Sequence, residues 1–317
     1  MDKAKRADFH TLVFINGVYQ AAQSDPVMDG LDIAVDNQQL TLTVQSGVHC
    51  SKPLQLLQRV DAVEQSAMAI KLVVQPKASI RVWLDNLAEQ AVETTIEQAI
   101  DIDVQQEAVC HWVTCQQEQG VRRSVTGSFQ QAASSCFEWF YFGLDSGRSE
   151  ENITLRIQGQ QTQSRLRGLL LPTGKQRMTV QSSLQHDVAN THAEQVFRSI
   201  AADSGIARLQ GRVLVQAGAD KTYSTQSAKS ILLNPGAEAH SCPQLEIYAD
   251  DVVCNHGASI GELDETMLFY LQSRGIEASV AKRLLLQGFA QAVIDEVADE
   301  QLQVELSKAL QAMGGEG

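Results

Sequence analysis

Short apolar runs recur along most of the chain, and they limit what it can fold into. From residue 9 to about 258 they include LVFI (12–15), LTLTV (40–44), IKLVV (70–74), IRVWL (80–84), AVCHWV (108–113), FEWFYF (137–142), ITLRI (153–157), LRGLLL (166–171), RVLV (212–215) and LEIY (245–248). Each is bounded by Gly, Pro, Asn, Asp or Ser, and β-branched and aromatic residues are enriched in them. This is the strand-and-turn pattern of an all-β architecture. Periodicity alone leaves a sandwich, a barrel and a parallel β-helix open. Three features lean toward the β-helix. The strands are many and continuous, small and polar residues fall where corners between stacked rungs would lie, and a tight hairpin signal occurs once, at Asn16-Gly17. Two segments, 54–66 and 85–93, read as helical exceptions, the first with Leu54, Leu57, Val60 and Val63 at near-helical spacing.

The net charge of −13, with no extended Lys/Arg cluster, argues against a nucleic-acid footprint and a polybasic membrane patch. No apolar run approaches membrane-spanning length. Six scattered cysteines without Cys-x-x-Cys spacing argue against a disulfide-stapled secreted fold. The N-terminal apolar run is too short for a signal peptide. A cytoplasmic location is expected. There is no phosphate-binding loop or dinucleotide fingerprint. His186, His192 and His240 permit a Ser/His/Asp triad to be drawn, but a Ser-rich sequence always does.

The most informative stretch is LEIYADDVVCNHGASIGELDETMLFYLQSRGI (245–276), which reads as a LEIYADDV strand, a Cys-x-His-Gly element and an amphipathic helix. On an extended strand Cys254 and His256 share a face, with Asn255 opposite. A thiolate and an imidazole are natural ligands for iron, zinc or copper. Two ligands do not close a site, and a buried Cys beside a hydrogen-bonded His would look the same. Beyond it, Asp264 to Arg274 reads as a helix with Met267, Leu268, Tyr270 and Leu271 on its apolar side, ended by Gly275. A second helix over 278–297, with Ser279 as its N-cap, carries Leu284, Leu285 and Leu286 in succession, which predicts packing on two sides. A third spans about 299–313, with Leu302, Leu306, Leu310 and Met313 as a stripe. Cys110 and His111 fall on opposite faces of a strand and would not share a metal.

The same stretch closely resembles the C-terminal signature of the SufD-type scaffold subunits of the Suf iron–sulfur cluster assembly system, in the SufB/SufD family. The resemblance takes in LEIYADDV, the Cys-x-His-Gly, the Gly-x-Leu-Asp-Glu before the helix and LFYL-x-SRGI, and extends upstream over HAEQVFRSIAADSGIARLQGRVLVQAGADKTYSTQSAKSILLNPGAE (192–238). It implies a mainly β protein, a right-handed parallel β-helix (1–258) followed by a C-terminal helical subdomain (259–317) that docks an ATPase. It implies no catalysis by this chain. The partners would be a SufB-type scaffold subunit, paired through the β-helices, and a SufC-type ATPase, with a homodimer in isolation. No permanent cofactor is implied, only transient iron or an iron–sulfur cluster shared with the partner, with His256 and Cys254 as its ligands here. Leu268, Phe269, Tyr270 and Arg274 become candidates for the ATPase contact. The sequence departs from the family's pattern at Cys242, where a Lys usually precedes the proline. That thiol could lie near Cys254. The resemblance also implies a helical segment ahead of the LVFING strand, near which this sequence begins. A polysaccharide-active β-helix enzyme and a purely structural partner subunit are the alternatives.

Overall fold

Parallel pairing between strands two apart in sequence builds a β-solenoid of about seven turns. The computed structural model describes residues 5–6, 8–26, 28–61, 63–88, 93–295, 297, 304, 307–311 and 313. Two sheets face each other. The first stacks β1 (His10–Ile15), β5 (Leu54–Arg59), β7 (Ser79–Leu87), the first half of β9 (Val109–Gln131), the first half of β10 (Cys136–Ile157), β11 (Gln163–Leu170), β13 (His192–Ala201), β15 (Thr222–Leu232) and β17 (Val252–Gly261). The second stacks β3 (Leu31–Asp36), β4 (Gln39–Val44), β6 (Gln65–Val74), β8 (Thr95–Val104), the second halves of β9 and β10, β12 (Arg177–His186), β14 (Ile206–Val215) and β16 (Glu238–Ile247). The β-helix expectation holds, and every apolar run named above contributes to a strand.

Alternation along each strand sends one set of side chains into the space between the sheets. Leu12, Leu56, Trp112, Trp139 and Leu166 from the first sheet meet Leu42, Leu72, Ile102, Leu155 and Leu184 from the second. Trp139 anchors an aromatic column, with ring centroids 5.9 Å from Tyr141 and 6.3 Å from Phe197.

The corners are held by left-handed residues. Gly47, Lys77, Glu107, Ser134, Gln161, Asn190 and Lys221 all have positive φ on successive rungs. Each donates its backbone N–H to a carbonyl of the following rung, as Lys77 does to Gln106 (3.0 Å) and Glu107 to Ala133 (3.0 Å). A non-glycine residue in this conformation costs about 1–2 kcal/mol, which the cross-rung bond offsets. The sequence shows no strict repeat because, beyond the first turn, rungs vary from 26 residues (Arg122 to Arg148) to 32 (Ile206 to Glu238).

The two ends differ. At the first, antiparallel hairpins interrupt the parallel stack: β1 with β2 (Val18–Tyr19) around Asn16-Gly17, and β3 with β4 around Asn37. At the other, among the described residues, β16 pairs only with β14 and β17 only with β15. An N-terminal segment also covers the first sheet's outer face. Arg6 bonds Asp85 through two nitrogens (2.8 and 2.9 Å) and lies 4.3 Å over the Trp83 ring.

Several expectations are corrected. Residues 54–66 are not helical: Leu54–Arg59 is a strand, because the outward positions Gln55 and Leu57 are buried as well and blur the alternation. Asp85–Leu87 ends β7, and residues 89–92 lie outside the described residues. The LEIYADDV run is two strands, with Tyr248–Asp251 turning the corner between the sheets. The parallel stack continues to Gly261, three residues beyond the expected boundary.

Helix α1 (Glu265–Ser273) is capped by Asp264, which accepts from the Thr266 and Met267 amides, and ends at Gly275 with φ 84°. Helix α2 (Ala278–Ile294) is capped by Glu277 rather than Ser279, since the Glu277 carboxylate accepts from the Ser279 and Val280 amides. Its Leu286, Ala290, Val293 and Ile294 pack on Phe140, Phe142, Leu169 and Ile200 of the first sheet's outer face. Leu285 is half-buried and Leu284 is exposed. The third helix falls mostly outside the described residues, Leu302 and Leu306 among them; Leu310 and Met313 are buried with α2.

A polar network is sealed inside where β9 and β10 bend from one sheet to the other. Arg123 bonds both oxygens of Glu118 (2.6 and 2.9 Å) and Gln98 (3.0 Å), and Gln116 joins Glu151 (3.1 Å) to the Tyr141 hydroxyl (2.5 Å). Burial pushes the Glu151 carboxyl up to about 8, with Arg123 pulling it down and Glu118 pushing it further up. A folded value raised above the unfolded one, ordinarily 4.5, leaves Glu151's contribution fully present below pH 4.5 and lost as pH rises through about 8. The neutral isostere in Glu151→Gln should therefore flatten the decline. At pH 8 the variant should exceed the wild type by a few kcal/mol, measured by urea unfolding across pH 5–9.

Candidate functional site: a Cys/His pair on an open terminal strand

β17 stacks on β15 with Ser224 opposite Cys254 and Gln226 opposite His256. Ser224 and Gln226 are buried and face the interior, so Cys254 and His256 share the inward face with Asn255 turned outward. Cys254 is half-buried against the interior cluster, whereas His256 is exposed because no described strand stacks beyond it. Burial pushes the Cys254 thiol up, opposed by a hydrogen bond from the Ser224 backbone. Among the described residues no three His, Cys, Asp or Glu side chains converge on one point. The pair thus offers one sulfur and one nitrogen on one face of β17.

The layer beneath is ordered by a histidine that sequence reasoning set aside. His186 is fully buried, with Nδ1 2.8 Å from the Thr191 hydroxyl and Nε2 3.3 Å from the Ser224 hydroxyl. Burial pulls it down to about 4, so it is neutral at pH 7. Thr222 donates to the Ala219 carbonyl (2.8 Å), leaving its oxygen to accept from Thr191, 3.0 Å away, and Thr191 in turn to accept from His186 Nδ1. The run fixes the Ser224 side chain under Cys254. No motif signalled this.

The two free edges differ. Glu238 N–H donates to Gly205 and Tyr248 N–H to Val215. Alternation then points even-numbered N–H groups of β16 at β14 and odd-numbered positions outward. Pro243 falls on the free edge and removes a donor from its middle, a device that discourages edge pairing. β17 contains no proline. Around this end Val253 (54%), Ile260 (46%) and Tyr248 (63%) are exposed apolar side chains.

Cys242 does not join Cys254. Its register partner is Gln210, next to the inward Leu209, so Cys242 faces out from the second sheet while Cys254 faces in from the first. Cys110 and His111 do face opposite ways. Cys110 is in the interior, and His111 Nδ1 lies 2.6 Å from Glu138, which also accepts from Arg165 (2.5 Å). Burial would raise the Glu138 carboxyl, but His111 and Arg165 hold it below its ordinary value.

α1 buries none of its residues. Met267 (47%), Phe269 (71%) and Tyr270 (51%) stand exposed, Leu268 is half-buried, and the Arg274 guanidinium lies 5.3 Å over the Tyr270 ring. No described helix is long and apolar enough to cross a membrane.

The chain is thus a β-solenoid with an unpaired last strand among the described residues, a Cys/His pair on that strand and a helix with exposed apolar side chains. Residues 58–289 match the family model described as SUF system FeS cluster assembly, SufBD core domain. The chain belongs to the SufBD family of iron–sulfur cluster assembly proteins, as a SufD-type member. It is 32% identical to the iron–sulfur cluster assembly protein SufD of Escherichia coli (strain K12) over 165 residues, 52% of this chain and 39% of that protein. To SufD of Bacillus subtilis (strain 168) it is 26% identical over 177 residues, 56% of this chain and 40% of that one. To the protein ABCI7, chloroplastic, of Arabidopsis thaliana it is 30% identical over 205 residues, 64% and 43% of the two. The match thus spans about two-fifths of these relatives' length. The family assignment sets aside the polysaccharide-enzyme reading.

Accessibility orders the thiols. Under native conditions iodoacetamide should modify exposed Cys242 first and half-buried Cys254 more slowly, with Cys110 and Cys115 reacting only on unfolding. Peptide mass spectrometry against time checks the order.

Proposed function

We propose that this chain is a non-catalytic scaffold subunit that pairs with a SufB-type subunit, binds a SufC-type ATPase and contributes ligands to iron or a nascent cluster at the subunit interface. The observation carrying this reading is the position of Cys254 and His256, two donors on the inward face of a terminal strand whose far edge is free. A strand from a partner would satisfy that edge and bring further donors to the same rung. A half-sphere of one sulfur and one nitrogen binds weakly alone and is completed by the partner. It lets go when the partner shifts, whereas a closed four-ligand site would keep its metal. ATP-driven movement in the ATPase supplies the shift. Iron and the cluster are cargo, and no permanent cofactor is part of the reading. In isolation the same edge would support a homodimer.

The ATPase contact falls to α1, through Leu268, Phe269, Tyr270 and Arg274. A helix-in-groove partner would bury the exposed rings that this chain leaves in solvent.

Two measurements test the proposal. His256→Ala should abolish most cluster formation on the reconstituted complex while leaving the complex assembled; unchanged cluster yield would remove the residue from the mechanism. Phe269→Asp should leave the thermal midpoint unchanged, because that side chain is 71% exposed, yet weaken ATPase binding by at least about tenfold, as expected for an aromatic anchor. Retained affinity in calorimetry would rule out α1 as the docking helix.

A further inference from the structure

Three arginines far apart in sequence stand in one row across the second sheet. Arg122 on β9 is in register with Arg148 on β10, and Arg148 with Arg177 on β12. All three are exposed, whereas their chain neighbours Arg123, Ser149 and Met178 are buried, so alternation turns the arginines to the outer face. Adjacent strands lie about 4.8 Å apart, so like charges stand side by side on three successive rungs. Like charges directly across a ladder destabilise it. The chain has 38 acidic residues against 25 basic ones, enough to neutralise the row. It does so once: Arg148 donates from two nitrogens to Glu150, two places along its own strand (3.0 and 2.6 Å). The side chains of Arg122 and Arg177 have no hydrogen bond or ion pair among the described residues. Thr95 bounds the row on one side and buried Ile206 on the other. The next outward row, Glu97, Ser124, Glu150, Thr179 and Arg208, holds two acids and one base. The same corners open into a groove. Gly120, Gly147 and Gln176, each one or two residues before an arginine, line a cavity of about 1030 Å³ together with Asp203 and Lys282 of α2. The Asp203 carboxylate accepts from the Gly174 amide (3.1 Å), and Lys282 has no ion pair among the described residues.

We propose that Arg122, Arg148 and Arg177 dock an acidic helix of a protein partner, lying along the solenoid axis beside this groove. The spacing selects the occupant. A helix returns to the same face about every 5.4 Å, close to the step between rungs. Carboxylates at i, i+4 and i+7 therefore meet successive arginines. An extended strand repeats its face only every ~6.6 Å. Over two rung steps the helix drifts out of phase by about 1 Å and the strand by about 4 Å. A long arginine side chain absorbs the first and not the second. Each guanidinium can hold a carboxylate through two parallel bonds, which orients the helix as well as attracting it. The surface lies on the second sheet and uses neither the β17 edge nor α1, so its success or failure leaves the scaffold reading untouched.

The test uses the full chain and a synthetic Ala-rich helix of about 20 residues with glutamates at i, i+4, i+7 and i+11 on one face. An isomer of the same composition spreads its glutamates around the helix. Binding is read by fluorescence anisotropy at low salt. The one-faced peptide should bind at least about fivefold more tightly than its isomer, and its affinity should fall as salt rises. Arg122→Gln combined with Arg177→Gln should weaken binding by at least about tenfold. Glu150→Gln releases Arg148 and should tighten it. Arg156→Gln, which removes an exposed arginine of the same sheet that is paired with Asp187, should change nothing. Equal binding of the two peptides, or undiminished affinity in the double variant, overturns the proposal. A single-stranded oligonucleotide that binds more tightly than the one-faced peptide at the same salt also overturns it and assigns the row to nucleic acid. The double variant should melt no lower than the wild type, because neither substituted side chain is engaged among the described residues, and this separates lost docking from lost folding.

Discussion

Backbone hydrogen bonding from each rung to the next is the constraint on which everything else in this molecule depends. It passes through the strands and continues around the corners, where seven successive left-handed residues each donate to the rung that follows. A structure built this way has no internal reason to stop. The chain ends it differently at its two ends: antiparallel hairpins at one, unpaired strands at the other. The Cys/His pair lies on β17, the last strand of the first sheet, which pairs only with β15 among the described residues.

The interior tolerates charge only where the strands bend. Glu118, Arg123 and Glu151 are enclosed at that bend, and the carboxyl with the weaker claim on the arginine keeps its proton. Desolvating an ion pair costs several kcal/mol per ion, which the two Arg123–Glu118 bonds and the Gln98 carbonyl offset. On the first sheet's outer face, part of the surface is covered by α2 and the Arg6–Asp85 segment. Elsewhere on that face Glu138 is hydrogen-bonded to His111 and Arg165 across rungs. α1 is the exception to this economy, a helix with exposed apolar side chains and no buried residue.

How much of this was legible in the sequence depended on how local each cause is. Strands with one buried face announced themselves by alternation, and the Asn16-Gly17 hairpin by its turn residues. The segment from Leu54 failed because the covering by Arg6, 49 residues away from Gln55, buries both faces of that strand. The Asn37 hairpin lacked its glycine, and the corner column hid behind Lys77, Glu107 and Gln161, residues with no turn signature. The shared face of Cys254 and His256 followed from their spacing. Their position on an open edge, and the opposite facing of Cys242, are properties of stacking order and could be seen only in three dimensions. His186 was illegible for the same reason: its partners Thr191 and Ser224 come from two other segments.

The exposure of His256 is a matter of what lies above it rather than of its own strand. Any rung added there would shut out water and bring in new donors in a single movement. Metal uptake and subunit recruitment would then be one equilibrium seen from two sides: whatever tightens the first must tighten the second by the same factor. A loosened seam would discharge the cargo without any change in the ligands themselves.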